Sequence, residues 1–287
     1  MKKQKVTVFC LGYGFTAQAL IHFLGESVAQ VIATTRSEDT ARRLQGQGIT
    51  PIVLDGRAEP LPNIPPGSYW LVSAPPDDEG CPAYAAFADQ AAEAKWIGYL
   101  STTGVYGDLG GNWAFEWTEV NPQSVQGTRR VLAEQQWAGT GASVHYFRLP
   151  GIYGPGRSAL DRLREGNARR IIKPGQVFSR VHVDDIASCV AASMARPNPG
   201  RVYHPCDDAA APPQDVIEYA ADLLGLPVPP DIPIEAANLS EMGKRFYQEC
   251  KRVSNARTKS ELGWFPAYKT YREGLQAILA GEPSEHA

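Results

Sequence analysis

A doubly wound α/β fold of the Rossmann type, with a smaller mixed C-terminal lobe, follows from three observations on this chain. Short β-rich runs alternate with helical patterns through the first 150 residues, and such alternation implies a parallel sheet with helices on both faces. A glycine turn, Gly12-Tyr13-Gly14-Phe15-Thr16-Ala17, stands at the first strand-to-helix junction. Beyond about residue 150 the texture changes, with proline and glycine rising in PGIYGPG, KPGQ, RPNPG, APPQ and LPVPPDIP.

The elements read in order as follows. VTVFCL (6–11) is a strand, and Phe15 to Leu24 carries apolar residues at helical spacing. QVIATT (30–35) is a second strand, and SEDTARRLQGQG (37–48) a polar helix entered at a serine. ITPIVLDG (49–56), SYWLVSAPP (68–76) and KWIGYLSTT (95–103) are further strands, with alanine-rich PAYAAFADQAAEAK (82–95) a helix between the last two. NPQSVQGTRRVLAEQ (121–135) enters a helix at Pro122 and Ser124, with Val131 and Leu132 as apolar points. SVHYFRLPGIYG (143–154) is a strand running into a turn, and VDDIASCVAASMA (183–195) a helix returning to the main sheet, with Asp184 and Asp185 as its expected caps. The proline-rich segment 227–233 reads as a rigid loop and the tail after Gly281 as frayed. Residues 1–150, joined again by 181–205, make up the expected nucleotide-binding domain; 151–180 and 206–281 make up the second lobe.

Composition narrows the function classes. The chain has 287 residues, 43% of them hydrophobic, with a formal charge of −3 spread without a basic stripe, which argues against nucleic-acid binding. No apolar run approaches the length that spans a membrane. The lysine-rich start MKKQKVTVFCLGYG mimics a signal peptide, but its apolar run is interrupted at Gly12 and lacks a small-residue cleavage pattern. Five scattered cysteines without a CxxC pair read as free thiols in a reducing, cytoplasmic setting, and not as a zinc site or a disulfide framework.

The glycine turn carries specific chemistry. Gly12 permits a tight turn, Gly14 lets the backbone approach a pyrophosphate, and Ala17 lets the helix pack on the strand. The helix start at Phe15 and Thr16 offers unpaired amides to phosphates. An acidic residue at the end of the second strand would bind a ribose 2′-hydroxyl; this chain has Arg36 there, in TTRS. A guanidinium suits a 2′-phosphate through paired donors. The expected cofactor is therefore NADP, with NAD the alternative. Asp55, ending the third strand, is placed to accept from the adenine amino group, or is an ordinary Asp-Gly turn. Ser73 and Ala74, in SAPP, are small enough for the cofactor ribose to pass close by.

STTGVYG (101–107), the helix from Pro122, RLPGIYGPG (148–156) and VHVDDIA (181–187), taken with the glycine turn, resemble the extended short-chain dehydrogenase/reductase superfamily of NAD(P)-dependent epimerases and dehydratases. The resemblance runs from Val6 to about Leu279 and includes KRVSNARTKSELGWFP (251–266). It implies cofactor contacts at Ser101, Arg130, Pro150, Gly151 and Ile152. It also implies a small anionic or nucleotide-linked substrate held near Thr103, Arg157, Lys173 and Arg180, and a homodimer through the helices around 83–93 and 124–138.

The departures from the pattern bear on chemistry. The superfamily's hydroxyl position falls on Thr102, but its tyrosine and lysine positions fall on Gln126 and Arg130, and no tyrosine occurs between Tyr106 and Tyr146. A glutamine amide polarises a carbonyl but does not carry its proton, and that proton transfer is worth roughly 10²–10⁴ in rate. Arg130 retains the means to hold a ribose; in the plainer reading it faces solvent and pairs with Glu134 four residues on. Tyr106, Tyr153, Glu116 and His182 are the alternative acids. Trp113, Phe115 and Trp117 form an aromatic group read first as packing and second as a lid. The chain reads as an NADP-dependent oxidoreductase or epimerase of an atypical kind, or as a catalytically silent NADP(H) sensor.

Overall fold

The computed structural model describes residues 5–54 and 61–281. The chain runs β1 (Val6–Leu11), α1 (Phe15–Leu24), β2 (Val28–Thr35), α2 (Glu38–Gly46), β3 (Thr50–Val53), β4 (Tyr69–Val72), α3 (Pro82–Phe87), β5 (Trp96–Thr102), β6 (Trp113–Ala114), α4 (Val125–Gly139) and β7 (Val144–Leu149). It continues through β8 (Gly151–Tyr153), α5 (Ala159–Arg164), β9 (Arg170–Ile172), β10 (Arg180–His182), α6 (Val183–Ala195), β11 (Val202–Tyr203), α7 (Pro213–Leu224) and β12 (Asp231–Pro233). The last elements are α8 (Glu241–Gln248), β13 (Arg252–Val253), α9 (Ala256–Leu262) and α10 (Tyr271–Gly281).

Seven strands form one parallel sheet in the order β11-β7-β5-β4-β1-β2-β3. Strand order reverses about β1, so the crevice beyond the carboxyl ends of β1 and β4 is the natural ligand position. Both faces are covered, which is why β4 and β7 are buried along their whole length. One face packs α1 and α6 through Leu20, Leu100, Phe147 and Ile186. The other packs α3 and α4 through Phe9, Trp70, Phe87, Tyr99 and Trp137. Phe9 meets Trp70 and Phe87 edge-on at 5.3 and 5.0 Å, and such pairs add about 0.5–1.5 kcal/mol each beyond their buried area. A third apolar cluster joins α5, α7 and α10 through Leu160, Ile217, Tyr271 and Leu275.

Several expectations are corrected. The alanine-rich 82–95 stretch is not one helix: α3 stops at Phe87, whose backbone leaves helical geometry, and Ala88–Glu93 tightens into a 3₁₀ turn. There Ala91 and Ala94 pack beneath the sheet, so tertiary packing overrides alanine's helix propensity. β4 ends at Val72 because the Ser73 and Ala74 amides both turn to the Leu11 carbonyl at 2.9 Å, and the prolines that follow have no amide to give. The strand expected over 143–154 breaks at Pro150; β8 leaves the main sheet and pairs with β10. Part of the proline-rich 227–233 segment is strand β12, paired with β9. Asp184 and Asp185 do not cap α6, since the His182 ring accepts the Asp184 amide at 3.2 Å. Asp185 instead caps the loop before α10, accepting from Ala267 at 2.7 Å and Tyr268 at 3.2 Å. Among the described residues, no helix is long and apolar enough to cross a membrane, and all five cysteines are buried free thiols.

Candidate functional site

The glycine turn between β1 and α1 is braced from two sides. The Gly12 amide donates to Thr34 Oγ1 at 2.8 Å, and Ser73 Oγ donates to the Gly12 carbonyl at 2.9 Å. Gly12 has φ +95°, and a Cβ there would stand 2.9 Å from Ser73 Oγ and 3.1 Å from the Ala74 amide nitrogen, so only glycine fits. Ser73 and Ala74 thus touch the turn itself. Gly14 opens α1 without any side-chain cap, and a Cβ on it would meet nothing within 4 Å. The first amides of α1, from Phe15 and the buried Thr16, have no side-chain cap and are of the kind that hold a diphosphate. Arg36 follows β2, exposed and without hydrogen bond or ion pair among the described residues. Asp55 lies outside the described residues. The uncapped start of α1 fits the diphosphate of a nicotinamide dinucleotide.

At the carboxyl end of β5, Thr102 Oγ1 accepts the Gly104 amide at 3.1 Å and caps the short turn of STTGVYG. Its own hydroxyl proton therefore stays available to a ligand. Thr103 is buried, its hydroxyl 3.5 Å from the Leu149 carbonyl. α4 meets this turn through Gly127, where a Cβ would stand 2.8 Å from the Gly104 carbonyl. Gln126 is exposed in the first turn of α4, one residue before this contact. Arg130, half-buried, donates to the Leu100 carbonyl and lies 5.8 Å over the Tyr99 ring.

The expected Arg130–Glu134 pair does not form. Glu134 instead accepts from Ser101 at 2.5 Å and from Arg148 at 3.0 and 2.7 Å. Burial opposes the Arg148 charge, but the paired Glu134 outweighs it and raises the guanidinium pKa. Arg148 also donates to Tyr106 Oη at 2.9 Å, which meets His204 Nε2 at 2.6 Å. Burial holds His204 neutral, with its pKa lowered to about 3. Tyr106 is thus locked in a closed internal network, its pKa pushed up to about 12 by burial. Glu116 is buried against Thr258, accepting its amide and hydroxyl at 3.1 Å each, and is no solvated loop residue. The His182 ring is buried under Tyr153 and Tyr268. None of these three is open as an acid. The aromatic group is only partly packing: Phe115 stacks on Trp117, Arg257 covers Trp117, and Trp113 and Trp117 stay more than half exposed.

Pro150 leads into β8, whose register sets Gly151 beside Arg180 and Tyr153 beside His182. Gly151, Ile152, Arg157 and Arg180 line one cavity of about 600 Å³ between α5, α7, α8 and α10. Arg180 is tied down, donating to the Phe178 and Ala211 carbonyls at 2.8 and 2.9 Å. Lys173 stands apart from this cavity and donates to the Tyr247 carbonyl. Arg162, which also lines the cavity, carried no signal in the sequence beyond a place in a short charged helix. Nor did the Glu134–Arg148 and Tyr106–His204 contacts, each formed across many residues.

These features define a class by fold. The chain aligns over nearly its whole length with the human epimerase family protein SDR39U1 bound to NADPH, at 15% identity and a TM-score of 0.71, covering 96% of this chain and 100% of that one. It aligns likewise with the dTDP-glucose 4,6-dehydratase of Bacillus anthracis in complex with NAD, at 16% identity and 0.69, covering 96% and 97%. The fold is that of the extended short-chain dehydrogenase/reductases, the NAD(P)-dependent epimerases and dehydratases. A functionally unknown conserved protein from Silicibacter pomeroyi is 46% identical, with a TM-score of 0.88 and coverage of 96% of this chain and 99% of its own; this chain belongs to that protein's family. Among curated sequences, Protein YeeZ of Escherichia coli (strain K12) is 31% identical over 169 residues, 58% of this chain and 56% of that one. The chain spans about half the length of the curated relatives it matches. No family model matches the sequence.

Proposed function

We propose that this chain is an NADP-dependent oxidoreductase or epimerase-like enzyme acting on a small anionic or nucleotide-linked metabolite. The observation that carries the reading is the uncapped start of α1 at Gly14, together with the unpaired Arg36 at the end of β2. In this reading the α1 amides hold the diphosphate and Arg36 grips the 2′-phosphate. NADP, when bound, supplies or takes a hydride. Thr102 orients a substrate oxygen by donating a hydrogen bond to it, Gln126 polarises it with an amide donor, and Arg130 holds the nicotinamide ribose. Residues 1–150 with 181–205 serve the cofactor, and 151–180 with 206–281 serve the substrate.

A second reading, a protein that senses NADP(H) without turnover, is favoured by one observation. Arg130 already donates to the Leu100 carbonyl, and Gln126 has no titratable proton. One set of experiments separates the two readings. Calorimetry should give tighter binding of NADPH than of NADH, and Arg36→Ala should erase about tenfold or more of that preference. Purified protein with NADPH is then offered aldehydes, ketones and nucleotide sugars while absorbance is followed. Turnover lost in Thr102→Ala supports the enzyme. Tight NADPH binding with no turnover supports the sensor, and no heat with either nucleotide overturns both.

A further inference from the structure

The cavity beside Arg180 has a divided surface. Its floor is Tyr153, Ile171, Val216, Ile217, Tyr271 and Leu275, all buried. Its mouth carries Arg157, Arg162 and Arg169, all exposed, with Arg180 further in. Two carboxylates line it as well, and both are engaged: Asp161 accepts from the Ser158 amide at 2.7 Å and hydroxyl at 2.6 Å, and Glu165 accepts from Asn167 at 2.7 Å. Arg169 and Arg180 donate to backbone carbonyls. The side chains of Arg157 and Arg162 have no hydrogen bond or ion pair among the described residues; the Arg157 guanidinium lies 5.9 Å over the Phe15 ring.

Arg157 and Arg162 bring two unpaired guanidinium groups to a concavity that Arg180 also lines, and an anion there would offset their charge. A sugar ring on the floor would strand its hydroxyls, because those six side chains offer only two phenol oxygens as partners. We infer that the cavity takes an organic acid with a flat apolar body, its carboxylate or phosphate held at the mouth by Arg157 and Arg162, in preference to a sugar nucleotide. The volume of about 600 Å³ lies within the range of pockets for ligands of that size. This inference rests on reading the cavity as the substrate site, and it names the chemical class of that substrate.

Calorimetry on the full chain at low salt tests it, with and without NADPH. The probes are 1-naphthyl phosphate and 2-naphthoate as the two anion sources, 2-naphthol as the uncharged control, and UDP-glucose as the rival. The aryl acids are expected to bind at least tenfold more tightly than either comparison ligand. Arg157→Ala and Arg162→Ala should each weaken the aryl acids about 3- to 10-fold, and Arg162→Lys should restore most of that loss. In the wild-type chain, raising salt should weaken the aryl acids and leave naphthol unchanged, a readout independent of how any variant folds. Tighter binding of UDP-glucose, equal binding of naphthol, or no response to salt would overturn the inference. Aryl acids that bind while NADPH does not would leave it standing and remove the cofactor reading; the reverse result would do the opposite.

Discussion

Asp207 is 4% exposed, and one of its carboxylate oxygens has no hydrogen-bond partner among the described residues. Burial pushes its pKa up to about 8, against the pull of the Arg180 guanidinium. A carboxyl whose folded pKa exceeds its unfolded value keeps a proton that the unfolded chain has released. Stability therefore falls as pH rises from about 4 to about 8. Asp185, raised to about 6 by burial, adds to the lower part of that window, and the neutral His204 opposes it below pH 6.5. Between pH 6.5 and 8 Asp207 dominates, and its contribution reaches about 2 kcal/mol. Asp207→Asn is expected to flatten urea stability over that range and to exceed the wild type at pH 8; a parallel decline in both proteins would refute the account. Little of this was legible beforehand. The four-residue spacing of Arg130 and Glu134 suggested a helix-face pair, but Glu134 is taken by Arg148 from the neighbouring strand. Spacing reports one helix, whereas a buried carboxylate chooses the partner that the sheet delivers.

At the scale of elements, α4 shows how a backbone contact positions the candidate site. Its entry was readable: Pro122 precedes it, and Ser124 accepts the Gly127 amide at 3.1 Å. The need for glycine at 127 was not, because the reason lies on another element. A Cβ there would stand 2.8 Å from the Gly104 carbonyl and 2.9 Å from Pro122 Cβ. Alanine gains about 1 kcal/mol in helix propensity, but the backbone oxygen it meets cannot turn aside, and such overpacking costs about 1–3 kcal/mol. Gly127→Ala is therefore expected to lower stability by up to about 2 kcal/mol in urea unfolding, with α4 shifting away from Thr102; a stabilised variant would show that the two elements are not in firm contact. The long strands and helices were legible through their apolar runs. The two- and three-residue ladders β8–β10, β9–β12 and β6–β13 were not, since segments that short carry no period and are held by tertiary contacts.

For the whole molecule, alternation of strand and helix was enough to foresee the parallel sheet, and the glycine turn lies where it was expected, between β1 and α1. The cavity was hidden because it is assembled from separated segments between Gly151 and Leu275. The two regions nevertheless touch. Phe15 is the first residue of α1, and its ring fills the space beside Gly154, where a Cβ would come within 2.9 Å. Arg157, at the cavity mouth, rests on the same ring. A ligand at either end that fixes Phe15 or Arg157 removes freedom the other ligand would otherwise have to remove, so the second binds with less loss of entropy. Saturating NADPH is expected to tighten 1-naphthyl phosphate by about 5-fold or more, within the usual span of coupling between sites. Linkage requires the aryl phosphate to tighten NADPH by the same factor. Calorimetric titrations run in both orders measure the two factors. Equal factors above one support communication through Phe15, whereas a factor of one in both directions would mean that the contact transmits nothing and that the sheet crevice and the cavity bind independently.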